Sequence, residues 1–298
     1  MLRRACWALA VAVVLAAPVV VQAQGDYLDV YIVKVKTDKI AEFNTLAKKV
    51  VEANRRNNGD RWVASETMYG EGDTIAFVST RQNYGEIENA YGAFMGALQK
   101  AYGKEGAEKM LHDWENCLAA SRSELRIRRR DLSQKAPTDA AAELKLIGGS
   151  RVVRTITVHV RPGKTAEFEA LLKEVKTAGE QAANTQPILV SQVIEGSKGA
   201  TFYVSTFRNS LGGFDRNPTL RDILGEEGYK RFQQVSAESI TNTESALSRF
   251  SPELSNPPEE LVAVAPEFWQ PKTGMTVAAA KAKPKAPGMK ATGEKQKQ

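Results

Sequence analysis

Two cysteines and two histidines are all that 298 residues contain, and no stretch spells out a catalytic signature. Cys6 falls in a segment expected to be removed, which leaves Cys117 alone. An internal disulfide is then excluded, and the fold must be held by its cores. The shortage of histidine leaves His112 and His159 as the only imidazoles for metal, haem or proton transfer. Long apolar runs are also missing. The longest, residues 7–21, falls short of the roughly 20 residues a spanning helix needs and is interrupted by Pro18.

That run follows Arg3 and Arg4 and ends in Val21-Gln22-Ala23, the small-residue pattern a signal peptidase reads. Residues 1–23 are therefore read as a signal peptide, and the protein as exported, periplasmic or secreted, with no stable membrane insertion after cleavage. An uncleaved anchor is the alternative. Cys6 precedes the apolar run, which argues against a lipoprotein, and the residues after Arg3-Arg4 do not fit a twin-arginine signal.

The basic balance of the whole chain, 41 Lys+Arg against 35 Asp+Glu, comes from its ends. Without Arg3, Arg4, the seven lysines from Lys272 onward and Glu294, residues 24–271 hold 32 basic and 34 acidic side chains. Nucleic acid is not the expected partner of such a body. The tail from about 274, rich in Lys, Ala and Pro, cannot bury enough apolar area to offset ordering and is expected to be disordered.

What the chain does contain is an internal duplication. YIVKVKTDKIAEF at 31–43 returns as ITVHVRPGKTAEF at 156–168. Each copy starts with a β-branched strand and continues into a helix with one apolar stripe: Phe43, Leu46, Ala47, Val50 and Ala53 in the first, Phe168, Leu171, Leu172, Val175 and Ala178 in the second. Thr37-Asp38 offers a cap for the first helix. A hairpin follows in each copy, with Ser65, Gly70 and Val78-Ser79-Thr80 matching Ser191, Gly196 and Val204-Ser205-Thr206. A helical region interrupted near Gly103 matches one around Gly225, with Asn217-Pro218 as the cap of the latter, and a last strand is expected at 124–130. The expected organisation is a first repeat at 24–133, a linker at 134–149 with a short central helix, a second repeat at 150–256 and a tail at 257–298 in which Phe268-Trp269 docks on a surface.

The strand-helix-strand-strand-helix-strand order is the split βαβ, ferredoxin-like arrangement, so the fold class is α+β. With its AEF turn and its hairpin ending in VST, each repeat resembles the dimeric α+β barrel superfamily, including antibiotic-biosynthesis-monooxygenase-type domains, over about 30–130 and 155–255. The resemblance implies that the two sheets pair into one barrel with helices outside and any ligand between the sheets.

Alternation puts Tyr31, Val33, Val35, Ile156, Val158 and Val160 on the face expected beneath the helices, which sends Lys34 and His159 into the barrel. The ligand-binding candidates are Lys34, His159, Ser79, Ser205, Phe77, Tyr203, Glu66 and Gln192. Five of these have a plainer reading: a satisfied imidazole for His159, ordinary strand hydroxyls for Ser79 and Ser205, and a solvent-facing pair for Glu66 and Gln192. Glu108, His112 and Glu115 share a helix face that reads as solvated rather than metal-binding, and Cys117 reads as a buried, inert thiol. Arg126, Arg128, Arg129 and Arg130 read as a solvated strand end. No metal and no cofactor are assigned. Three functions compete: a non-catalytic barrel binding a small apolar or aromatic molecule; a cofactor-independent monooxygenase or a haem-using relative, as the resemblance implies; and an interaction scaffold acting through its tail or Phe268-Trp269. Self-association stays open.

Overall fold

The periodicities of the sequence are realised twice in the computed structural model, which describes residues 27–271 except Asn184 and Arg216. The expected signal segment and the lysine-rich tail lie outside the described residues. The first copy runs β1 (Tyr27–Val35), α1 (Ile40–Arg56), β2 (Val63–Tyr69), β3 (Thr74–Arg81), α2 (Tyr84–Asn116) and β4 (Leu118–Arg128). A linker helix α3 (Ala140–Gly148) leads to the second copy: β5 (Val152–Val160), α4 (Thr165–Gln181), β6 (Leu189–Glu195), β7 (Thr201–Arg208), α5 (Leu220–Ser239) and β8 (Ile240–Phe250). Two short helices, α6 (Glu259–Val264) and α7 (Pro266–Trp269), follow.

The eight strands close into one antiparallel barrel in the order β1-β3-β2-β8-β5-β7-β6-β4. Closure needs only two junctions between the copies, β2 with β8 and β4 with β6, and it removes every sheet edge. Outside the barrel, α1 and α2 cover one half and α4 and α5 the other. Val33, Val35 and Ile75 pack beneath Phe43 and Ala47, while Val158, Val160 and Phe202 pack beneath Phe168. The apolar face assigned to the helices is therefore the one that meets them. Phe43 is completely buried and Phe168 nearly so, each contributing about 1.5–3 kcal/mol of hydrophobic stabilisation.

The later helix of each copy bends at a glycine, Gly103 with φ 73° and Gly225 with φ 68°, in the left-handed region that other residues enter at a cost. Several details differ from expectation. The strand after α2 begins at Leu118, six residues before 124, because α2 stops at Asn116. Thr37 does not cap α1; its hydroxyl donates to Asp73 (2.8 Å). The cap of α5 is Thr219, in a reciprocal box with Asp222, rather than Asn217-Pro218.

One end of the barrel is stoppered. Val63, Val153, Phe207 and Phe250 meet Leu144 and Ile147 of α3 and Leu261, Val262, Phe268 and Trp269 from the C-terminal helices. Trp269 is fully buried and its indole N–H donates to the Gly148 carbonyl (2.9 Å). A side chain at Gly148 would meet Val264 Cβ at 2.9 Å, so glycine is needed for this close approach. The expected docking of Phe268-Trp269 thus forms a plug. No helix among the described residues is long and apolar enough to cross a membrane.

Candidate functional site

With one strand face committed to the helices, the alternate residues line the lumen. On β4 these are Arg122, Glu124 and Arg126, opposite Ile32, Val30 and Leu28 of β1. On β7 they are Thr201, Tyr203 and Ser205, opposite His159, Thr157 and Thr155 of β5. The two walls meet through a charged cluster. Glu124, 6% exposed, accepts from Arg126 Nε (2.8 Å), Arg122 Nε (3.0 Å) and the Tyr203 hydroxyl (3.0 Å). The Arg126 guanidinium lies 3.3 Å over the centre of the Tyr203 ring, a cation–π contact.

This geometry biases the protonation states. Burial on its own would raise the Glu124 carboxyl, but the Arg126 charge and the hydrogen bonds from Arg126, Tyr203 and Arg122 outweigh it and hold the group below the usual carboxylate range. Burial pushes the Tyr203 phenol up, and the nearby Glu124 adds to this against the opposing pull of Arg126. Near neutrality the cluster is a carboxylate, two guanidiniums and a protonated phenol. The carboxylate is a poor base and the phenol a hydrogen-bond donor.

The wall beyond the cluster is made of Ser65, Ala76, Val78, Thr155, Thr157 and Ser205, all half-buried. Each of these residues lies on a strand paired on both sides. At the unplugged rim, Lys34 donates to Glu71 (2.7 Å). His159 Nδ1 lies 3.2 Å from Thr201 Oγ1, and its Nε2 lies 3.9 Å from Glu244. A depression of about 310 Å³ adjoins this rim, lined by His159, Arg161, Pro162, Lys198 and Thr241.

Of the residues predicted from sequence, Lys34, His159, Tyr203 and Ser205 therefore face the lumen, and Phe77, Ser79, Glu66 and Gln192 do not. Phe77 stacks on Tyr31 and packs at a tilt against Trp114 of α2, and Ser79 donates to the Arg61 carbonyl (2.8 Å). The cause is a one-residue offset. Tyr31 faces Phe77, while its counterpart Ile156 faces Val204, so Val78 rather than Ser79 is equivalent to Ser205. A shift of one residue turns a strand side chain to the other face. Glu66 and Gln192 are equivalent, but they lie on the outer surface at the two junctions, where Glu66 accepts from Arg249 (3.0 Å) and Gln192 from Arg129 (2.6 Å).

The arginine run is not a solvated strand end. Arg126 is in the lumen cluster, Arg128 pairs with Glu143 of α3, and Arg129 pairs with Asp131 and Glu169. Arg122, Glu124 and Arg126 are not among the candidates read from the sequence, although their i, i+2, i+4 spacing on a strand that pairs with β1 puts them on one face. Glu108, His112 and Glu115 are exposed on the outside of α2, and Cys117 is buried. Among the described residues, no group of three His, Cys, Asp or Glu side chains is gathered as a metal ion would require.

No protein-family model and no curated protein matches the chain. Solved structures do. An anthrone oxidase-like protein superposes with a TM-score of 0.51 at 11% identity, over 77% of this chain and 93% of that one. Chlorite dismutase from Candidatus Nitrospira defluvii, in complex with imidazole, gives 0.44 at 12% identity over 81% and 96%. A monooxygenase-like protein from Lactobacillus acidophilus gives 0.44 at 10% over 78% and 96%. With its closed eight-stranded barrel and outer helices, the chain has the dimeric α+β barrel fold, both halves being carried on one polypeptide.

Proposed function

We propose that this is an exported binding protein that holds a small aromatic or apolar molecule between its two sheets. The ligand enters by the rim of Lys34 and His159 and lies along Val30, Ile32 and Val78. Its polar group, a carbonyl, phenol or carboxylate, turns to the terminal nitrogens of Arg122, whose Nε alone is committed to Glu124. The observation that carries this reading is the lumen cluster itself. A buried Glu124 saturated by Arg126, Arg122 and Tyr203 is a rigid polar wall beside half-buried small side chains, the combination of apolar lining and few oriented polar groups typical of ligand pockets. The export half of the reading rests on residues 1–23 alone.

Binding is favoured over turnover because the Glu124 carboxylate is already saturated by Arg122, Arg126 and Tyr203, and the Tyr203 proton is committed to it, which leaves neither group free to take a proton from a ligand. The competing reading, a cofactor-independent oxygenase, is prompted by the fold shared with an anthrone oxidase-like protein. The haem-using variant has little to stand on, with His112 on the exposed side of α2 and His159 at the rim beside Thr201.

Native mass spectrometry of protein purified without denaturation, followed by organic extraction, tests the binding reading. The expected result is a released small aromatic or apolar compound that rebinds wild type and binds Arg122→Ala at least tenfold more weakly. Ligand-free protein that takes up no aromatic probe would contradict it. Oxygen consumption with an anthrone, lost in Tyr203→Phe, would favour the oxygenase instead.

A further inference from the structure

The two copies treat one arginine differently. Arg81, at the end of β3, is 7% exposed and grips Asp60 with both terminal nitrogens (2.9 and 2.7 Å), with Asp29 at 3.3 Å. Arg208 holds the same place in β7: it faces Val152 as Arg81 faces Tyr27, the opening residues of β5 and β1. It is buried as deeply, at 8%. Both of its acidic partners are gone. Arg154 stands where Asp29 stands in β1, and Gln186 stands three residues before β6 as Asp60 stands three before β2.

Among the described residues, no carboxylate pairs with Arg208. Its Nη1 donates to the Phe207 carbonyl (2.6 Å) and its Nη2 to Asn217 Oδ1 (3.0 Å), while Nε, like that of Arg81, has no partner. Arg154, exposed at the surface, lies 5.4 Å from the Phe214 ring centre, and Arg208 lies 5.5 Å from the same ring. Burial first, and the neighbouring Arg154 second, lower the Arg208 pKa. A guanidinium withdrawn from water beside a second positive charge, with no carboxylate to balance it, is an arrangement that folding alone disfavours.

We propose that this corner of the second copy is a binding site for a small oxyanion, a carboxylate or phosphate, taken by Arg208 and Arg154 with Phe214 beside it. The bound anion supplies the negative charge that Asp60 and Asp29 supply in the first copy. Arg154 stands at the open side and admits the ligand, and paired guanidiniums match the two-oxygen geometry of carboxylates and phosphates. The site lies on the helix-facing side of β7, so it is separate from the lumen and independent of the reading given above.

The test is thermal unfolding of the full chain in acetate or inorganic phosphate against chloride at equal ionic strength. A saturable rise in Tm with at least one oxyanion is expected for wild type. Arg154→Asp, which rebuilds the arrangement of the first copy, is expected to raise Tm in chloride and to abolish the response to oxyanions. Arg208→Gln should abolish the response as well. Should that variant fail to fold, Arg154→Asp decides alone. Equal Tm in all three salts, or an oxyanion response that survives Arg154→Asp, would overturn the proposal.

Discussion

On β4 the lumen-facing column reads Arg122, Glu124, Arg126; at the same rungs of β8 it reads Glu244, Ala246, Ser248. The two columns occupy equivalent places in one barrel and share no residue. Beneath the helices the copies agree instead: Phe43 with Phe168, Val33 with Val158, Gly103 with Gly225. The difference separates two demands. The outer face of each sheet must fill the space under a helix at close-packed density, whereas the lumen wall is free of that constraint and has diverged.

If this division is correct, core substitutions should be costly in both copies and lumen substitutions in only one. Phe43→Ala and Phe168→Ala should each lose about 3–5 kcal/mol in denaturant unfolding. A small loss in either would break the equivalence of the cores. Glu124→Gln should cost about 3 kcal/mol because it leaves Arg126 buried without its carboxylate. Ala246→Ser, at the equivalent rung, should cost less than about 1 kcal/mol.

The same pair predicts a pH dependence. Glu124 is held below its ordinary pKa, so the folded state binds fewer protons there than the unfolded chain. The stability it contributes is complete above the unfolded carboxylate value of about 4.3, and it is lost as the pH falls through the lower folded value. Wild type should therefore lose more stability than Glu124→Gln between pH 6 and pH 3 in parallel denaturant titrations. Equal losses would mean that the lumen carboxylate is not held ionised by its neighbours.

The junctions sharpen the contrast on a smaller scale. Arg129, mostly buried, joins Asp131, Glu169 and Gln192, whereas Arg249 meets Glu66 as a largely exposed pair. Arg129→Met should cost about 1–3 kcal/mol, and Arg249→Met less than about 1 kcal/mol, because exposed ion pairs are screened by water. A reversed order would place the stronger junction at β2–β8.

The duplication, the β1 and β5 faces, the glycine bends and the linker helix were legible because each follows from a local rule: alternation, a 3.6-residue stripe, a positive φ. The site was legible only in part. Lys34 and His159 were placed on the inner face by alternation alone. The matching VST strings misled, since the structure aligns Val78 with Ser205 and so turns Ser79 beneath the helices. Identity of letters does not fix register when the turn before a strand differs in length. The Arg122-Glu124-Arg126 column is hidden in the sequence because the strand expected at 124–130 leaves out Arg122, and its partner Tyr203 is distant along the chain. The loss of both acids around Arg208 could be seen only once the copies were superposed on a common register.

The lumen as a ligand site is tested most directly by closing it. Ala76 faces the lumen at the rung equivalent to Tyr203, paired with Ile32 and Ser65. Fluorescence titration with an apolar aromatic dye should show saturable binding by wild type that is displaced by the extracted ligand. Ala76→Trp, with an unchanged far-ultraviolet circular dichroism spectrum, should bind at least tenfold more weakly. Undiminished dye binding by the folded Ala76→Trp protein would contradict a ligand site between the sheets.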